Sequence, residues 1–437
     1  MKLIANPARR PLSGRYRPPG DKSISHRLAI LGGLAPGETV ITGYLDSADT
    51  RATLAAMAAL GAEVSESDGE IRIRGGRLRA PEHPLDLGNS GTGVRLLAGA
   101  LAGRQDLAGQ TIELIGDESL SGRPMGRIIE PLRTMGADIS AREGGLLPMQ
   151  IRPCALSAIR YRPAVASAQI KSAVLLAGLS AAGQTVLVEP GPSRDHSERL
   201  LPAFGIALER VGDEIRMHGG QTLHGGSFHV PGDLSSASFA MAAALLVPGS
   251  AIELDNVGLN PSRDGVLRVL AGMGGQLRAE SGESVGAEPV GRIEVCDSDL
   301  AGMDIPAEWV PLAIDEFPII MALAAAARGR TVIRGAAELR VKESDRLAVM
   351  CRQLARLGVR VEETPDGAII EGGLVQGGAV DSAGDHRIAM SLAVLGLVAQ
   401  APVVIDNAEW IRTSYPGFVA DLQGLGADLT WQADEDQ

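Results

Sequence analysis

Apolar residues recur along the chain in one repeated order of elements. A run rich in Ala and Leu, typical of a buried helix, is followed by a turn of small residues and then by a short β-branched strand. Six stretches follow this order: 29–44, 96–117, 173–190, 242–257, 319–336 and 389–408. Self-similarity of this kind is typical of a fold built from repeated units.

Each stretch continues into a second amphipathic helix that ends in Gly and leads into another strand. These terminal glycines lie 22 to 29 residues after the preceding turn, and they are Gly61, Gly136, Gly205, Gly274, Gly358 and Gly426. Glycine directly after a helix favours a left-handed cap, because it carries no Cβ. The pattern therefore predicts six similar α/β units, each with a glycine cap on its second helix.

The tripeptide Pro-Gly-Asp occurs twice before a helical run, in RPPGDKSISHR and in HVPGDLSSASF, starting at Pro19 and Pro231. One unit cannot cover both faces of its sheet, but three units around an axis can place their helices inside and their sheets outside. We therefore predict an α/β fold of two lobes with three repeats each. The lobes are residues 18–231 and 232–437, with residues 1–17 joining the second, and a hinged cleft where the chain crosses between them.

Composition narrows the class of protein. The chain has 437 residues, which is too many for one ordinary core, and 45% of them are hydrophobic. A net charge of -12 argues against nucleic acid as the main partner, since nucleic-acid binding needs a basic surface. The three cysteines, Cys154, Cys296 and Cys351, lack metal or disulfide spacing. The first 20 residues contain no apolar run of signal-peptide length, and no stretch is apolar for about 18 residues, so we expect a cytoplasmic protein.

The segment 17–27 carries a Gly, a Lys and two Ser, as a phosphate-binding loop would. A nucleotide P-loop needs Lys directly after Gly, whereas Asp21 intervenes here, and the prolines at 18 and 19 disfavour a preceding strand. GNSGTG at 88–93 likewise departs from the dinucleotide-binding pattern. Free N–H groups at a helix start still favour an anion. Residues 17–27 therefore indicate an anion site with no commitment to a nucleotide.

Basic residues recur in the polar loops at equivalent places in the repeats: Lys22, Arg27, Arg123, Arg194, Lys342, Arg346 and Arg387. Any one of them could simply be a solvated loop residue, but seven that converge on one cleft indicate anionic substrates. Two acids, Asp315 and Glu343, are candidates for proton transfer, although a helix cap and a surface ion pair are the alternatives. No spacing supports a metal or redox cofactor. The pattern favours substrates rich in phosphate and carboxylate.

Eight blocks carry a resemblance to a known family: PGDKSISHR, GNSGTGVRLL, SLSGRPMGRIIEPL, SAQIKSAVLLAGL, RDHSERLL, DEFPI, RVKESDRL and DHRIAMS. In this order, from residue 17 to about residue 418, the chain resembles the 5-enolpyruvylshikimate-3-phosphate synthases. The resemblance implies two lobes of three βαβαββ units, an inside-out α/β barrel. It also implies a monomeric enzyme without cofactor or metal, with no nucleic-acid or membrane partner.

The implied reaction transfers the enolpyruvyl group of phosphoenolpyruvate to the 5-hydroxyl of shikimate 3-phosphate and releases phosphate. The resemblance assigns shikimate 3-phosphate binding to Lys22, Ser23, Arg27, Ser167, Ala168, Gln169, Arg194, Asp315 and Lys342. It assigns phosphoenolpyruvate binding to Lys22, Gly91, Arg123, Gln169, Arg346 and Arg387. Asp315 would accept the hydroxyl proton, and Glu343, with Lys22, would protonate the methylene carbon.

The sequence departs from the family pattern near its C-terminus. Thr413 stands where many members carry Lys, with Arg412 adjacent, and Glu338 stands where many carry Asn. Gly91 favours inhibition by glyphosate, although other blocks resemble a more tolerant branch. Two alternatives remain: the UDP-N-acetylglucosamine enolpyruvyl transferase, whose reactive Cys is missing from the loop DESLSGRPMG, and a non-catalytic anion-binding relative.

Overall fold

The computed structural model describes residues 1–282 and 287–433, and the chain divides into two compact units. Unit A comprises Gly20–Val230 and a short later piece that includes Glu288. Unit B comprises Met1–Pro19 and most of the chain from Pro231 onward. The chain passes from one unit to the other at Pro19–Gly20 and at Val230–Pro231, where the two Pro-Gly-Asp segments lie.

The α-helices follow the repeat. They are α1 (Lys22–Leu34), α2 (Ala48–Ala59), α3 (Gly91–Ala102), α4 (Glu118–Ser121), α5 (Gly126–Thr134), α6 (Ala168–Gly178), α7 (His196–Ala203), α8 (Leu234–Leu246), α9 (Gly265–Gly272), α10 (Phe317–Ala326), α11 (Arg346–Arg356), α12 (His386–Gly396) and α13 (Phe418–Leu425). None of the helices in the described part of the chain combines the length and apolarity needed to cross a bilayer.

The strands are short and numerous. They are β1 (Lys2–Ala5), β2 (Ser13–Tyr16), β3 (Gly37–Thr42), β4 (Glu63–Ser67), β5 (Glu70–Gly75), β6 (Leu85–Asp86), β7 (Ile112–Ile115), β8 (Asp138–Arg142), β9 (Leu146–Arg152), β10 (Leu156–Ser157), β11 (Arg160–Tyr161), β12 (Ala181–Ala182), β13 (Gln184–Val188), β14 (Leu208–Val211), β15 (Glu214–His218), β16 (Ser227–His229), β17 (Ala251–Gly258), β18 (Gln276–Ser281), β19 (Val290–Cys296), β20 (Gly329–Ile333), β21 (Arg360–Thr364), β22 (Gly367–Gly372), β23 (Gly378–Asp381), β24 (Val403–Asp406) and β25 (Leu429–Gln432).

The six Ala- and Leu-rich runs form helices that are buried almost all round: α1, α3 and α6 in unit A, and α8, α10 and α12 in unit B. In unit A, α3 packs against both α1 and α6, and in unit B the three helices pack against one another. Strands such as β5 and β9 alternate buried and exposed residues, so their sheets cover the helices with one face and meet solvent with the other. Each unit thus has buried helices beneath outer sheets.

Strand pairing links the three repeats of unit A in a cyclic order. Each repeat forms a sheet of three antiparallel strands, and a parallel strand from the end of another repeat extends its edge. Thus β6 pairs with β7, and β11 pairs with β13. The last link is β16, which pairs with β3 of the first repeat and sets Ser227 opposite Val40.

The N-terminal segment supplies two strands to unit B. β1 lies between β24 and β25, with Leu3 opposite both Ile405 and Trp431. β2 is the parallel edge strand beside β17. The last repeat of the chain is therefore completed by its first residues.

The predicted glycine caps are confirmed. All six terminal glycines have positive φ, between +81° for Gly358 and +113° for Gly426. A side chain with Cβ would be strained there, which explains why each of the six repeats ends its second helix with glycine. Gly20 is required for another reason, since a Cβ on it would lie 2.0 Å from the carbonyl oxygen of Gly43.

Candidate active site

In unit A, the buried helices begin at the blocks that the sequence singled out. Asp21 caps α1, and its Oδ1 accepts a hydrogen bond from the N–H of Ile24 at 2.9 Å. Lys22, the first helical residue, forms an ion pair with the buried carboxylate of Asp49 on α2. Its side chain is 21% exposed, so the ammonium group is accessible while a buried acid holds it.

Arg27 lies one turn further along α1 and is buried. It donates from Nε to Oγ of Ser197 at 2.8 Å and from Nη2 to Oγ of Ser172 at 2.7 Å. Its Nη1 donates to the carbonyl oxygen of Ser23 at 2.8 Å. Burial lowers the pKa of Arg27 to about 10, and the nearby charge of Arg194 adds to the decrease. Arg27 is thus a fixed cation, close to Arg194, with polar neutral partners.

The start of α3 places Gly91 beside two guanidinium groups. Ser90 caps this helix by accepting from the N–H of Gly93 at 3.0 Å. Arg123 donates from Nη2 to Oδ1 of Asn89 at 2.6 Å, and a Cβ on Gly91 would lie 3.3 Å from its Nη1. The positive end of the helix dipole, a guanidinium group and a missing side chain together form a cradle for an anion.

The start of α6 carries a third block of the same kind. Ser167 caps the helix, with Ala168 as its first residue. Gln169 donates from Nε2 to Oγ1 of Thr92 on α3 at 3.1 Å, which joins the N-terminal ends of two buried helices. Small hydroxyl and amide groups here offer neutral contacts to a polar ligand.

The segment between β13 and α7 is held from two sides. Lys171, on α6, is buried and pairs with Glu189 and Glu198, each at 2.8 Å. Nδ1 of the buried His196 lies 2.7 Å from Oε1 of Glu288, in the later piece of chain that unit A includes. Burial raises the pKa of Glu198, although Lys171 opposes that effect. These pairs order the segment in which Arg194 lies.

Unit B brings the two candidate acids together around one cation. Arg346 donates from Nη1 to Oδ1 of Asp315 at 3.3 Å and from Nη2 to Oε2 of Glu343 at 2.5 Å. Nζ of Lys342 lies 3.3 Å from the same oxygen of Asp315. Asp315, Lys342 and Glu343 keep 16%, 21% and 23% of their side chains exposed, whereas Arg346 keeps 1%. The acids and Lys342 are accessible, and the arginine beneath orients them.

Asp385 holds Arg346 from its other side. Its Oδ2 accepts from Nε of Arg346 at 2.8 Å, and its Oδ1 caps α12 by accepting from the N–H of Arg387. Burial disfavours the charge of Arg346, but the carboxylates of Asp385, Glu343 and Asp315 outweigh it and raise the pKa of the guanidinium group. Arg346 therefore stays charged at every working pH.

Arg387 occupies the start of α12. Its Nη1 donates to Oγ of Ser235 on α8 at 2.5 Å and to the carbonyl oxygen of Asp315 at 3.1 Å. Oγ of Ser235 in turn donates to Glu316. Arg387, the third cation predicted for this half of the chain after Lys342 and Arg346, is thus fixed by groups on α8 and in the segment before α10.

The predicted residues form two groups. Unit A holds Lys22, Ser23, Arg27, Gly91, Arg123, Ser167, Ala168, Gln169 and Arg194, and unit B holds Asp315, Lys342, Glu343, Arg346 and Arg387. Sequence reasoning missed the partners that orient them, among them Asp49, Ser197 and Ser235. It also missed Asp385, although an Asp before a helical run is a cap signal.

Thr413 stands where many members of the family carry Lys, and its side chain makes a local contact. Oγ1 of Thr413 donates to the carbonyl oxygen of Trp410 at 2.7 Å. The guanidinium carbon of Arg412 lies 5.3 Å from the ring centroid of Trp431, on β25. Arg412 therefore stacks on an aromatic ring of the sheet. Among residues 1–282 and 287–433, no group of three or more His, Cys, Asp or Glu side chains is arranged to hold a metal ion.

The family model for EPSP synthase (3-phosphoshikimate 1-carboxyvinyltransferase) matches residues 7–422. The chain is 51% identical over 429 residues to a 3-phosphoshikimate 1-carboxyvinyltransferase of Acidithiobacillus ferrooxidans, covering 97% of this chain and 98% of that one. It is 50% identical to one of Nitrosococcus oceani, covering 95% and 94%. A solved EPSP synthase from Acinetobacter baumannii superposes with a TM-score of 0.87 at 42% identity, covering 98% and 100%. The chain belongs to the EPSP synthase family.

Proposed function

We propose that the chain is a 3-phosphoshikimate 1-carboxyvinyltransferase, which transfers the enolpyruvyl group of phosphoenolpyruvate to the 5-hydroxyl of shikimate 3-phosphate and releases phosphate. The family match over residues 7–422 is the observation that carries this proposal. The step belongs to the biosynthesis of aromatic amino acids. The fixed cations of both units support it, because both substrates carry phosphate and carboxylate groups.

Shikimate 3-phosphate is assigned to Lys22, Ser23, Arg27, Ser167, Ala168, Gln169, Arg194, Asp315 and Lys342. In unit A, these are a buried guanidinium group with neutral partners, a helix start capped by Ser167, and an ordered segment. In unit B, they are an accessible carboxylate and the ammonium group that pairs with it. The set offers cations for the substrate's anionic groups and an acceptor for a ring hydroxyl.

Phosphoenolpyruvate is assigned to Lys22, Gly91, Arg123, Gln169, Arg346 and Arg387. Three of these are guanidinium groups, which can grip phosphate or carboxylate with two parallel hydrogen bonds. Gly91 keeps the space in front of Arg123 open.

The chemistry follows from the acids that Arg346 orients. Asp315 accepts the proton of the 5-hydroxyl while that oxygen bonds to C2 of phosphoenolpyruvate, and Glu343, with Lys22, gives a proton to C3. The tetrahedral adduct then loses a proton from C3, the C2–O bond to phosphate breaks, and the double bond forms again. Because Arg346 donates to both acids, it sets the positions of the groups that accept and deliver protons.

Release of phosphate tests this proposal. The purified protein is incubated with phosphoenolpyruvate and shikimate 3-phosphate, without added metal, and free phosphate is measured. Release only with UDP-N-acetylglucosamine as acceptor would favour the other transferase, and no release with either acceptor would favour a non-catalytic relative. Release with shikimate 3-phosphate is expected, and the absence of Cys from the loop 117–126 supports this over the other transferase.

We also propose that the enzyme acts in the cytoplasm as a monomer on these two small molecules, without nucleic-acid or membrane partners and without a cofactor. The resemblance to the family and the net charge of -12 support this assignment. Size-exclusion chromatography with light scattering measures the mass of the protein in solution, and a value near 45.4 kDa is expected. A dimer mass would contradict the monomer.

A further inference from the structure

Unit A contains a cluster of buried charges that none of the substrate assignments uses. Lys171 has 1% of its side chain exposed, and its Nζ lies 2.8 Å from Oε1 of Glu189 and 2.8 Å from Oε2 of Glu198. Arg210 reaches the other oxygens of the same acids, at 2.9 Å and 2.8 Å. Two cations thus face two acids: Lys171 is buried with both carboxylates, whereas the side chain of Arg210 is 49% exposed.

These contacts hold one segment of chain at both ends and in its middle. Glu189 directly follows β13, and Glu198 lies in the first turn of α7. Between them, the carbonyl oxygen of Ser193 accepts from Nζ of Lys171 at 3.4 Å, and Oγ of Ser193 donates to Glu189 at 2.7 Å. Lys171 therefore fixes the path of residues 189–198.

The held residues are direct neighbours of proposed substrate contacts. Ser193 precedes Arg194, and Glu198 follows Ser197, whose Oγ accepts from Nε of Arg27 at 2.8 Å. A shift of the segment would move Arg194 and remove a partner of Arg27. The contacts of Arg123 with Asn89 and Ser119 involve no residue of this segment.

We propose that Lys171 is a positioning residue for shikimate 3-phosphate: it orders residues 189–198 before the substrate binds, so that Arg194 and Arg27 need no rearrangement. This inference rests on the proposed function. Ordering a flexible side chain on binding has an entropic cost, and prior order removes that cost. Loss of Lys171 should therefore weaken the binding of shikimate 3-phosphate and have little effect on the binding of phosphoenolpyruvate.

The test compares Lys171→Met with a matched control, Arg160→Met, which removes an exposed cation that pairs with Glu214 in the same unit. Calorimetric titration measures the Kd of shikimate 3-phosphate, and phosphate release at saturating shikimate 3-phosphate measures kcat and the KM for phosphoenolpyruvate. Since Lys171→Met leaves two buried acids with one cation, Glu198→Gln is a milder second variant. Circular dichroism establishes that each variant is folded.

We expect Lys171→Met to raise the Kd of shikimate 3-phosphate about tenfold, with kcat and the KM for phosphoenolpyruvate within about twofold of wild type. Glu198→Gln should raise the Kd by a smaller factor, about threefold, and Arg160→Met should leave it unchanged. An unchanged Kd in folded Lys171→Met, or in Glu198→Gln if the first variant does not fold, overturns the inference. An equal loss of affinity for both substrates also overturns the inference, because it indicates a purely structural role for Lys171.

The two proposals fail in different ways. Wild-type protein that neither binds shikimate 3-phosphate nor releases phosphate refutes the proposed function and this inference with it. Wild-type protein that does both, beside a Lys171→Met variant that binds shikimate 3-phosphate equally well, refutes the role of Lys171 alone.

Discussion

Replacing Gly91 with Ala adds one methyl group at the start of α3, directly beside two arginines. The new Cβ would lie 2.8 Å from Nη1 of Arg95 and 3.3 Å from Nη1 of Arg123, whereas ordinary contacts begin at 3.4 Å. Nη1 of Arg95 also donates to the carbonyl oxygen of Gly91 at 3.0 Å, so it is held close to the new group. Both neighbours are side-chain ends, so the helix keeps its place and the guanidinium groups move.

The expected cost follows from the contact that Arg123 would lose. A hydrogen bond to a charged group contributes about 1.5–3 kcal/mol, and about 1.4 kcal/mol corresponds to a tenfold change in affinity. We therefore expect the KM for phosphoenolpyruvate to rise about 10- to 100-fold in Gly91→Ala. The KM for shikimate 3-phosphate should stay near wild type, because Gly91 is assigned to phosphoenolpyruvate alone.

Steady-state phosphate release, with phosphoenolpyruvate varied at saturating shikimate 3-phosphate, measures this effect. Gly126→Ala is the matched control, because Gly126 also begins a helix, α5, and a Cβ there meets nothing within 4 Å. The control should keep the wild-type KM. An unchanged KM in folded Gly91→Ala, or an equal rise in the control, would refute the steric argument.

Three further predictions concern two cations of the site and a buried histidine beside them. In Arg346→Lys, the ammonium group keeps the charge but cannot reach all three carboxylates. The acids are then misplaced, so kcat should fall about 100-fold. A kcat near wild type would contradict this orienting role. Lys22→Met should abolish phosphate release and leave the circular dichroism spectrum unchanged, and wild-type turnover would remove Lys22 from the mechanism. Burial, followed by the charges of Lys22 and Arg27, holds the pKa of His26 well below 6.5. The unfolded chain therefore binds more protons below pH 6.5, so stability decreases as the pH falls through that range. His26→Gln should flatten this dependence in denaturant unfolding measured from about pH 7 to pH 5, and an unaltered slope would count against the burial of a neutral imidazole.

The repeated units were predictable because each one needs the same local chemistry. A glycine after the second helix must adopt positive φ, and all six do, from Gly61 to Gly426. The Asp of each Pro-Gly-Asp segment caps the helix that follows it, as the helical run after each segment indicates. Backbone requirements of this kind leave a trace at one sequence position, so a single chain is enough to read them.

The partners of the site residues left no such trace. Arg346 meets the carboxylates of Asp315 and Asp385, which lie 31 and 39 residues away along the chain, and no periodicity relates those positions. Lys171 reads as one polar residue in an apolar helix, and its acids lie 18 and 27 residues further on. Such pairs depend on the way in which the repeats pack, which local patterns do not encode.

The placement of β1 has a consequence for biosynthesis. Unit A is nearly continuous in sequence, so it can fold once its residues have left the ribosome. β1 leaves the ribosome before any residue of unit A, whereas its partners β24 and β25 are synthesised about 400 residues later. β1 therefore stays unpaired through most of translation. Moving residues 1–19 behind β25 would make unit B as nearly continuous as unit A. Such a circular permutant should need less protection by chaperones while it is being synthesised.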